Sequence, residues 1–391
     1  MPINSNPLRL FAFIAVASLV CVSISCSDKK TKDKTIAPEI VTTATAIAVA
    51  GELYSYTIIA TGTPAPTVTV SGLPSWLSYN TTAQTISGTP AVNNAGTTGA
   101  VTVTATNGVN PPAVQTFAII VYDWMFYGDY AVVDLVAPYA ITNLSSSPAD
   151  LHTHDAYKTT KLVLKRIASG TFQMGDQTSA GTAIELPVHP ASITKDFYIG
   201  VFETTQQQWY EVKGAWPSFF TTLPDKRPVE RVSWNDIKGG SGFIDTLSFL
   251  IGETFDLPTE AEWEYCCKAG TSTNYSYGST ADGAYMWYFA NSGTQTKDVG
   301  AGLPNPWGLY DMHGNVWEWC LDYGSLTYYQ TCYDAGTVSD PKGPLSGSQR
   351  VIRGGAWGET ASYCRSSNRG ATSQDAAADH LGFRIVAVRR D

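Results

Sequence analysis

The stretch from Gly308 to Trp319 reads GLYDMHGNVWEW and brings chemically active residues close together. It holds two carboxylates, Asp311 and Glu318, beside two glycines and two tryptophans. Carboxylate oxygens are ligands that calcium prefers, and glycines let the backbone turn sharply and bring main-chain carbonyls together. In an extended segment Glu318 faces away from the neighbouring indoles, which can then enter a core. The stretch is therefore either a calcium clamp between loops or a solvated acidic turn beside a core strand.

Bulk composition describes a folded, lightly charged protein. The chain has 391 residues, of which 43% are hydrophobic and 15% charged, enough for two or three domains. Its formal charge is −9. Nucleic-acid binding needs clustered Lys and Arg to displace counterions, and we find no such cluster. The sequence therefore argues against a nucleic-acid partner.

The start of the chain is predicted to be an export signal. An apolar run, LFAFIAVASLVCV, follows Arg9 and is too short to span a bilayer comfortably. It ends at SISC, which resembles the lipobox of bacterial lipoproteins. The resemblance implies that residues 1–25 are removed, that Cys26 is lipidated, and that residues 26–37 form a polar tether. We then expect a lipid-anchored protein of the bacterial cell envelope, at the outer membrane, with a plain secretory signal as the alternative.

Residues 38–122 have a composition of their own. Thr, Ala, Val, Gly and Pro dominate, and LYSYTIIA, TVTVSG, AVTVTAT and FAIIV alternate with period two between turn signals. These short strands predict a β-sandwich. The segment GLPSWLSYNTTAQTISGTP resembles the Ig-like domains of bacterial surface proteins, which implies a spacer with no ligand of its own. Residues 123–160 are predicted to be a linker.

From residue 161 to 391 the composition changes again. Nine of the eleven tryptophans fall here, with glycine throughout and few periodic runs. Thr259 and Glu262 form a capping box that predicts a helix over TEAEWEYCCKAG. Cys266 and Cys267 on that helix are expected to be packed residues rather than reactive ones. The rest is expected to be loop-rich and braced by large aromatic side chains and bound ions.

Several motifs in this region resemble the formylglycine-generating enzyme (sulfatase-modifying factor) family. They are FQMGD, ELPVHP, ETTQQQWYEV, RPVERVSWND, LPTEAEWEY, GLYDMHGNVWEW, RGGAW, CRSSNR and GFR, in that order. The resemblance implies an α+β fold with little regular secondary structure, a variant of the C-type lectin fold, preceded here by the all-β Ig-like sandwich. It also implies a calcium ion held by Asp311, the carbonyls of Gly314 and Val316, and Glu318. A second calcium site would begin at Asn291, although the loop that follows is shorter here.

The family's enzymes oxidise a protein cysteine with copper(I) held by two thiolates, which suits a soft metal. Carried over, the second thiolate is Cys364, but the first falls on Glu359 and the neighbouring serine on Ala356. Trp317 keeps its place. One thiolate without the serine predicts no copper and no oxidase activity, although Cys320 could in principle supply the missing sulfur.

The favoured interpretation is a non-catalytic recognition or scaffold module. Loops on a braced scaffold carry recognition without disturbing the core, and the segment from 358 to 384 is small and polar. A protein or glycan ligand is expected on a surface formed by five residues: Trp357, Glu359, Arg365, Asn368 and Arg369. Two alternatives stay open, namely an oxidase that forms formylglycine on a sulfatase cysteine, and a structural subunit of an outer-membrane assembly.

Five cysteines remain once the signal and Cys26 are set aside. An exported protein meets an oxidising compartment, and an odd count leaves at least one thiol free. Cys320 and Cys332 are the candidate disulfide pair because they are close in sequence.

Overall fold

The computed structural model describes residues 34–122, 125–222 and 225–387. The predicted signal peptide, Cys26 and most of the tether lie outside the described residues. In the described ranges no helix combines the length and hydropathy needed to cross a bilayer. The chain divides into two compact units. The first comprises Ser55–Gly88, Thr98–Ile119 and the described residues up to Ala46, and the second comprises Ile47–Tyr54, Thr89–Thr97 and the described residues from Ile120 onward.

Short strands make up the region predicted to be a β-sandwich. In chain order, β1 to β11 are Ile36–Ile40, Ile47–Val49, Tyr54–Thr57, Ala60–Thr63, Thr67–Ser71, Ser78–Asn80, Thr85–Gly88, Gly96–Thr97, Val101–Thr106, Ala113–Phe117 and Ile120–Tyr122. In the first unit β9 lies between β10 and β5 in an antiparallel sheet. Alternate residues of β9, Val101, Val103 and Ala105, are buried. The period-two pattern therefore predicts this strand correctly.

The remaining strands belong to the second unit. In chain order, β12 to β24 are Tyr130–Asp134, Ile141–Leu144, Lys161–Ile167, Gly170–Met174, His189–Ile193, Phe197–Gly200, Phe255–Asp256, Trp317–Tyr323, Val338–Ser339, Gln349–Arg353, Arg369–Ser373, Leu381–Gly382 and Val386–Ala387. A six-stranded sheet has the order β13-β12-β14-β17-β24-β18, and a four-stranded sheet has the order β22-β21-β19-β23.

The segment predicted to be a linker, 123–160, is not one. Its strands β12 and β13 pair with each other, and β12 also pairs with β14. Phe126, Ala131 and Val133 are buried in the same hydrophobic cluster as residues near the end of the chain. Phe126 and the two strands that follow it therefore form part of the C-terminal fold.

Five short α-helices complete the described part of the second unit: α1 Gln206–Lys213, α2 Trp234–Lys238, α3 Phe243–Ile251, α4 Glu260–Lys268 and α5 Tyr328–Ala335. The predicted capping box of α4 is confirmed, because Thr259 and Glu262 each accept the other's backbone N–H. Cys266 and Cys267 on α4 are completely buried, as expected. The fold is thus α+β with little helix, which confirms the predicted class.

Candidate functional site

The segment 308–319 folds as a tight turn that leads into β19. Its backbone has positive φ at Asp311 (57°), Gly314 (93°) and Asn315 (62°). A Cβ at Gly314 would lie 2.2 Å from the carbonyl oxygen of Trp287. Glycine is therefore required at 314 by both its dihedral angle and the space available, as the sharp turn predicted from the sequence implies.

Acid and indoles alternate along β19 as the sequence predicts. Trp317 and Trp319 pack into the larger hydrophobic cluster of the second unit. Glu318 points the other way and is completely buried. There the Arg384 guanidinium donates to its two oxygens at 2.6 Å each, and the Trp263 indole donates to one of them at 2.7 Å.

This arrangement does not fit Glu318 as a calcium ligand. Both of its oxygens are already bound by Arg384, which neutralises the carboxylate. A calcium ion would have to share Glu318 with a buried guanidinium, and the positive charges would repel each other at low dielectric. Glu318 is therefore the anionic half of a buried ion pair.

Asp311 is less fully satisfied. It is buried, and the backbone N–H of Gly300 donates to one of its oxygens at 2.6 Å. Burial raises the pKa of Asp311 to about 6. Sequence reasoning missed Glu203, a completely buried acid that accepts from the Asn315 amide at 2.6 Å and from the Val316 backbone at 3.2 Å.

The pKa of Glu203 lies well above its usual value because burial disfavours its charge and Asp311 and Glu318 add negative field. Arg384 and Lys158 are the cations that offset these acids. In the described ranges no group of three or more His, Cys, Asp or Glu side chains is arranged to hold a metal ion.

Asn291, where the second calcium site was predicted to begin, is hydrogen-bonded within its own loop. Its amide oxygen accepts from the backbone N–H of Tyr288 at 2.9 Å. Its amide nitrogen donates to the carbonyls of Met286 at 2.9 Å and Gly283 at 3.3 Å. The side chain therefore holds its own loop together.

Cys364 ends the 3₁₀ segment Ala361–Cys364 and is completely buried. Its thiol donates to the carbonyl of Thr360 at 3.9 Å. Burial, together with the charge of Glu359, raises the pKa of this thiol well above its usual value. A Cβ at Gly355 would lie 2.7 Å from the sulfur, so the glycine makes room for the thiol.

Glu359 acts on this thiol and also contacts Trp317. The Trp317 indole donates to the Glu359 carboxylate at 3.4 Å, and Ala356 is buried beside them in place of a hydroxyl residue. Glu359 offers hard oxygen where copper(I) would require a second soft sulfur. The site predicted from the family does not fit copper.

His313, a residue that sequence reasoning missed, lies between Cys364 and a second thiol, that of Cys267. Nδ1 of His313 lies 2.7 Å from the carbonyl oxygen of Cys364, and Nε2 accepts from the Ser276 backbone at 3.1 Å. Because a carbonyl can only accept, Nδ1 carries the proton. Burial lowers the pKa of His313 to about 4, so the ring is neutral at pH 7. The sulfur of Cys267 lies 3.8 Å from Nε2, and burial raises the pKa of that thiol to about 12.

Three residues predicted to form an exposed ligand surface are instead internal. Arg365 is 3% exposed, and its guanidinium donates to both oxygens of Glu185 at 2.7 and 2.8 Å. Arg369 is 7% exposed and donates to both oxygens of Glu260. Asn368 is buried as well. The prediction of an exposed surface is wrong for these three residues. Arg365 and Arg369 pair with acids that are distant in sequence, and both pairs are buried.

Trp357 and Glu359 keep partial access to solvent. The Trp357 ring contacts Phe220 edge to face at 5.4 Å, and Phe220 contacts Phe219 at 5.1 Å. The backbone N–H of Phe289 donates to the carbonyl of Glu359 at 2.8 Å. Phe219 and Phe289 are 57% and 66% exposed. These four aromatic residues are named the aromatic rim: Phe219, Phe220, Phe289 and Trp357.

A buried acid fixes one side of the aromatic rim. Glu230 is completely buried, and its carboxylate accepts from the backbone N–H groups of Phe219 at 2.8 Å and Phe220 at 2.9 Å. Ser218 reinforces the loop by donating to the Glu230 carbonyl at 3.2 Å. The rings therefore stand on a rigid loop. The apolar pair FF in a polar stretch is the sequence signal that could have found this surface.

All five cysteines in the described ranges are free thiols. The expected pairing of Cys320 with Cys332 is therefore wrong. Cys320 is buried in a hydrophobic cluster with Cys266 and Cys267, and its sulfur lies 4.0 Å from the Glu318 carbonyl. Cys364 belongs to a different hydrophobic cluster.

Comparisons with known proteins agree with this geometry. A family model described as a sulfatase-modifying factor enzyme 1-like domain matches residues 149–389, and an Ig domain model matches residues 37–122. The formylglycine-generating enzyme of Thermomonospora curvata is 34% identical over 202 residues, which cover 46% of this chain and 63% of that enzyme. This chain thus spans somewhat less than two thirds of that relative's length.

Two solved structures share the fold. Treponema denticola variable protein 1 has a TM-score of 0.51 and 30% identity, covering 59% of this chain and 96% of that one. PvdO from Pseudomonas aeruginosa has a TM-score of 0.51 and 25% identity, covering 58% and 94%. The family match takes in more than half of the chain, and it begins near the strands of the misassigned linker. The chain belongs to the sulfatase-modifying factor (formylglycine-generating enzyme) family, with an Ig-like domain ahead of the family domain.

Proposed function

We propose that this chain is a lipid-anchored envelope protein whose C-terminal domain recognises a protein ligand without catalysing its oxidation. The lipobox-like SISC supports an anchor at Cys26, and the Ig-like domain serves as a spacer. The aromatic rim, with Glu359 beside it, is the surface proposed to bind the ligand. The domain has the family's fold, but different residues stand at the positions where the family's enzymes bind copper.

The observation that carries this proposal is the pairing of Trp317 with Glu359. At the position where the family places a thiolate, a carboxylate accepts from the indole and adds negative charge beside Cys364. That field, added to burial, keeps the Cys364 thiol protonated at pH 7. A protonated thiol is a poor nucleophile and a poor metal ligand.

The chemistry of the aromatic rim suits a peptide with apolar and basic side chains. Exposed rings supply contact area at low entropic cost, and their faces attract cations. Glu359 adds a negative charge at the edge. Peptide-display selection with the full chain should enrich such sequences, and the double variant Phe219→Ala, Phe289→Ala should lose the enrichment. Phe249→Ala, at an 85% exposed position on α3, is the matched control and should retain it.

Calcium is proposed at Asp311 together with the main-chain carbonyls of Gly314 and Val316. The buried Asp311 carboxylate supports this position, because the hydrogen bond that it accepts comes from the neutral backbone of Gly300 and a cation there would offset its charge. The ion would fix the turn that leads into β19, and it would have no role in chemistry.

Copper binding separates recognition from oxidation. The full chain, reduced and titrated with Cu(I) against a competing chelator, should retain no copper and should leave a C-x-P-x-R peptide unchanged in air. Glu359→Cys restores the thiol spacing and is the positive control for copper retention. Copper held tightly by the wild type and lost in Cys364→Ser, with peptide conversion, would contradict the proposal.

One observation favours the oxidase as second candidate. Cys267 lies against the same imidazole that donates to the Cys364 carbonyl, so a second sulfur reaches this region from α4. If it completed a copper site, Cys267→Ser would abolish copper retention as fully as Cys364→Ser. An effect of Cys364→Ser alone would point to the single thiol, and a wild type that retains no copper supports the recognition module.

A further inference from the structure

A pocket outside the candidate site lies between β15 and the end of α4. Its volume is about 310 Å³, at the lower end of the range of roughly 300–1,000 Å³ for small-molecule sites. It shares no lining residue with the aromatic rim. The lining comprises three aromatic residues, Phe172, Tyr265 and Trp307, and a polar set, Thr171, Gln173, Gln177, Lys268, Gly270, Thr271 and Ser272.

The three rings form a continuous wall. Phe172 and Tyr265 have ring centroids 5.2 Å apart, and Tyr265 meets Trp307 edge to face at 4.8 Å. Each ring is partly buried against the hydrophobic cluster that contains Trp263. The core therefore holds the rings on one side, while the other side lines the pocket. Rigid aromatic faces of this kind bind the C–H faces of flat, semi-polar ligands.

The pocket offers no charge to a ligand. Lys268 is the only charged residue in its lining, and it is buried. Its ammonium group donates to the carbonyls of Gln173 at 2.6 Å and Gly175 at 2.8 Å, and pairs with Glu264 at 2.7 Å. An ammonium has three protons to donate, so none is left for a phosphate or carboxylate. No acid lies in the lining, so a cationic ligand would have no carboxylate to pair with.

Amide and hydroxyl groups surround the rings. Gln173, Gln177 and Ser272 are exposed at the pocket, and such groups can both donate and accept hydrogen bonds. A sugar presents C–H groups on its ring faces and hydroxyls around its edge. We propose that this pocket is a binding subsite for a neutral carbohydrate, one sugar unit at a time. An apolar peptide side chain would match the rings but leave the amides and hydroxyl unused.

Saturation-transfer NMR on the full chain tests this with four probes: methyl glucoside, methyl N-acetylglucosaminide, glucuronate and glucosamine. At least one neutral glycoside should receive saturation, while the charged sugars receive much less. No transfer to either neutral glycoside, or equal transfer to charged and neutral sugars, overturns the proposal. The proposal is also overturned if an apolar peptide displaces the neutral glycoside from the protein while a second neutral sugar does not.

Two variants locate the binding. Trp307→Ala removes one ring and should weaken binding about tenfold, the loss expected for an anchoring aromatic. Gln177→Ala changes an exposed side chain, leaves the fold intact and should weaken binding about threefold, one lost hydrogen bond. Phe249→Ala is the control and should bind like the wild type. If neither Gln177→Ala nor Trp307→Ala changes the affinity, the sugar binds elsewhere and the assignment is refuted.

Discussion

The buried pair of Arg365 and Glu185 makes a strong prediction about stability. Glu185 lies completely buried near the start of the domain, and it accepts two hydrogen bonds from Arg365, one from Ser367 at 2.9 Å and one from the Thr182 backbone at 3.0 Å. Burial opposes its charge, but these donors outweigh burial and hold the pKa of Glu185 below its usual value. The pair joins segments 180 residues apart.

Glu185→Gln keeps the shape and leaves the Arg365 guanidinium buried without a counter-charge. Breaking a buried pair in this way costs about 3–5 kcal/mol of unfolding free energy. For a domain of this size each 1 kcal/mol lowers the melting temperature by about 2–4 °C, so we expect a drop of roughly 6–20 °C. Because the pKa of Glu185 is lowered, its contribution is present above the unfolded pKa and is lost as pH falls through the folded value.

Urea unfolding followed by tryptophan fluorescence measures the effect, since nine of the eleven tryptophans lie from residue 161 onward. Asp196→Asn is the matched control, because it breaks an exposed pair with Arg166 and should cost less than about 1 kcal/mol. Adding Arg365→Met to Glu185→Gln should recover part of the loss by removing the stranded charge. A cost for Glu185→Gln no larger than that of the control would refute the reasoning.

Three further outcomes are expected. Burial raises the pKa of Asp322 to about 8. Between about pH 4 and pH 8 this carboxyl group therefore keeps its proton in the folded chain and loses it in the unfolded chain. The free energy of unfolding should fall as the pH rises through that range. Asp322→Asn should flatten that slope in urea titrations and stabilise the chain at pH 8 by up to about 5 kcal/mol, the value of a pKa raised by about four units, and an unchanged slope would exclude Asp322 as its source. Removing calcium with EGTA should lower the melting temperature of the wild type but not of Asp311→Asn, and equal shifts in both would place any ion elsewhere. Palmitate labelling in bacteria should mark the wild type and Cys21→Ser but not Cys26→Ser; label retained in Cys26→Ser contradicts the anchor.

Features set by neighbouring residues were predictable from the sequence. The capping box at Thr259 needs only a side chain and a backbone three residues away. The alternation around Glu318 follows from strand geometry alone. Both are confirmed because nothing distant competes with them.

Features set by distant partners were not predictable. CRSSNR is polar and small, which normally indicates an exposed loop, yet Arg365 and Arg369 meet Glu185 and Glu260 from 180 and 109 positions away. The same holds for Glu318, whose ion partner Arg384 lies 66 residues further on. A single sequence shows which charges exist but not which of them meet inside the fold.

The buried pairs also explain how one scaffold can serve different functions. Arg353 is completely buried, pairs with Glu260 and Glu264, and donates to the Tyr329 hydroxyl. Each buried arginine–carboxylate pair joins two segments through directional, charge-assisted hydrogen bonds. These pairs take the place of the helix and sheet hydrogen bonds that a loop-rich domain lacks. Glu359 takes no part in these pairs; its described side-chain hydrogen bond comes from Trp317. The chemistry beside Cys364 can therefore change without loosening the framework, and a recognition module can keep the architecture of an oxidase.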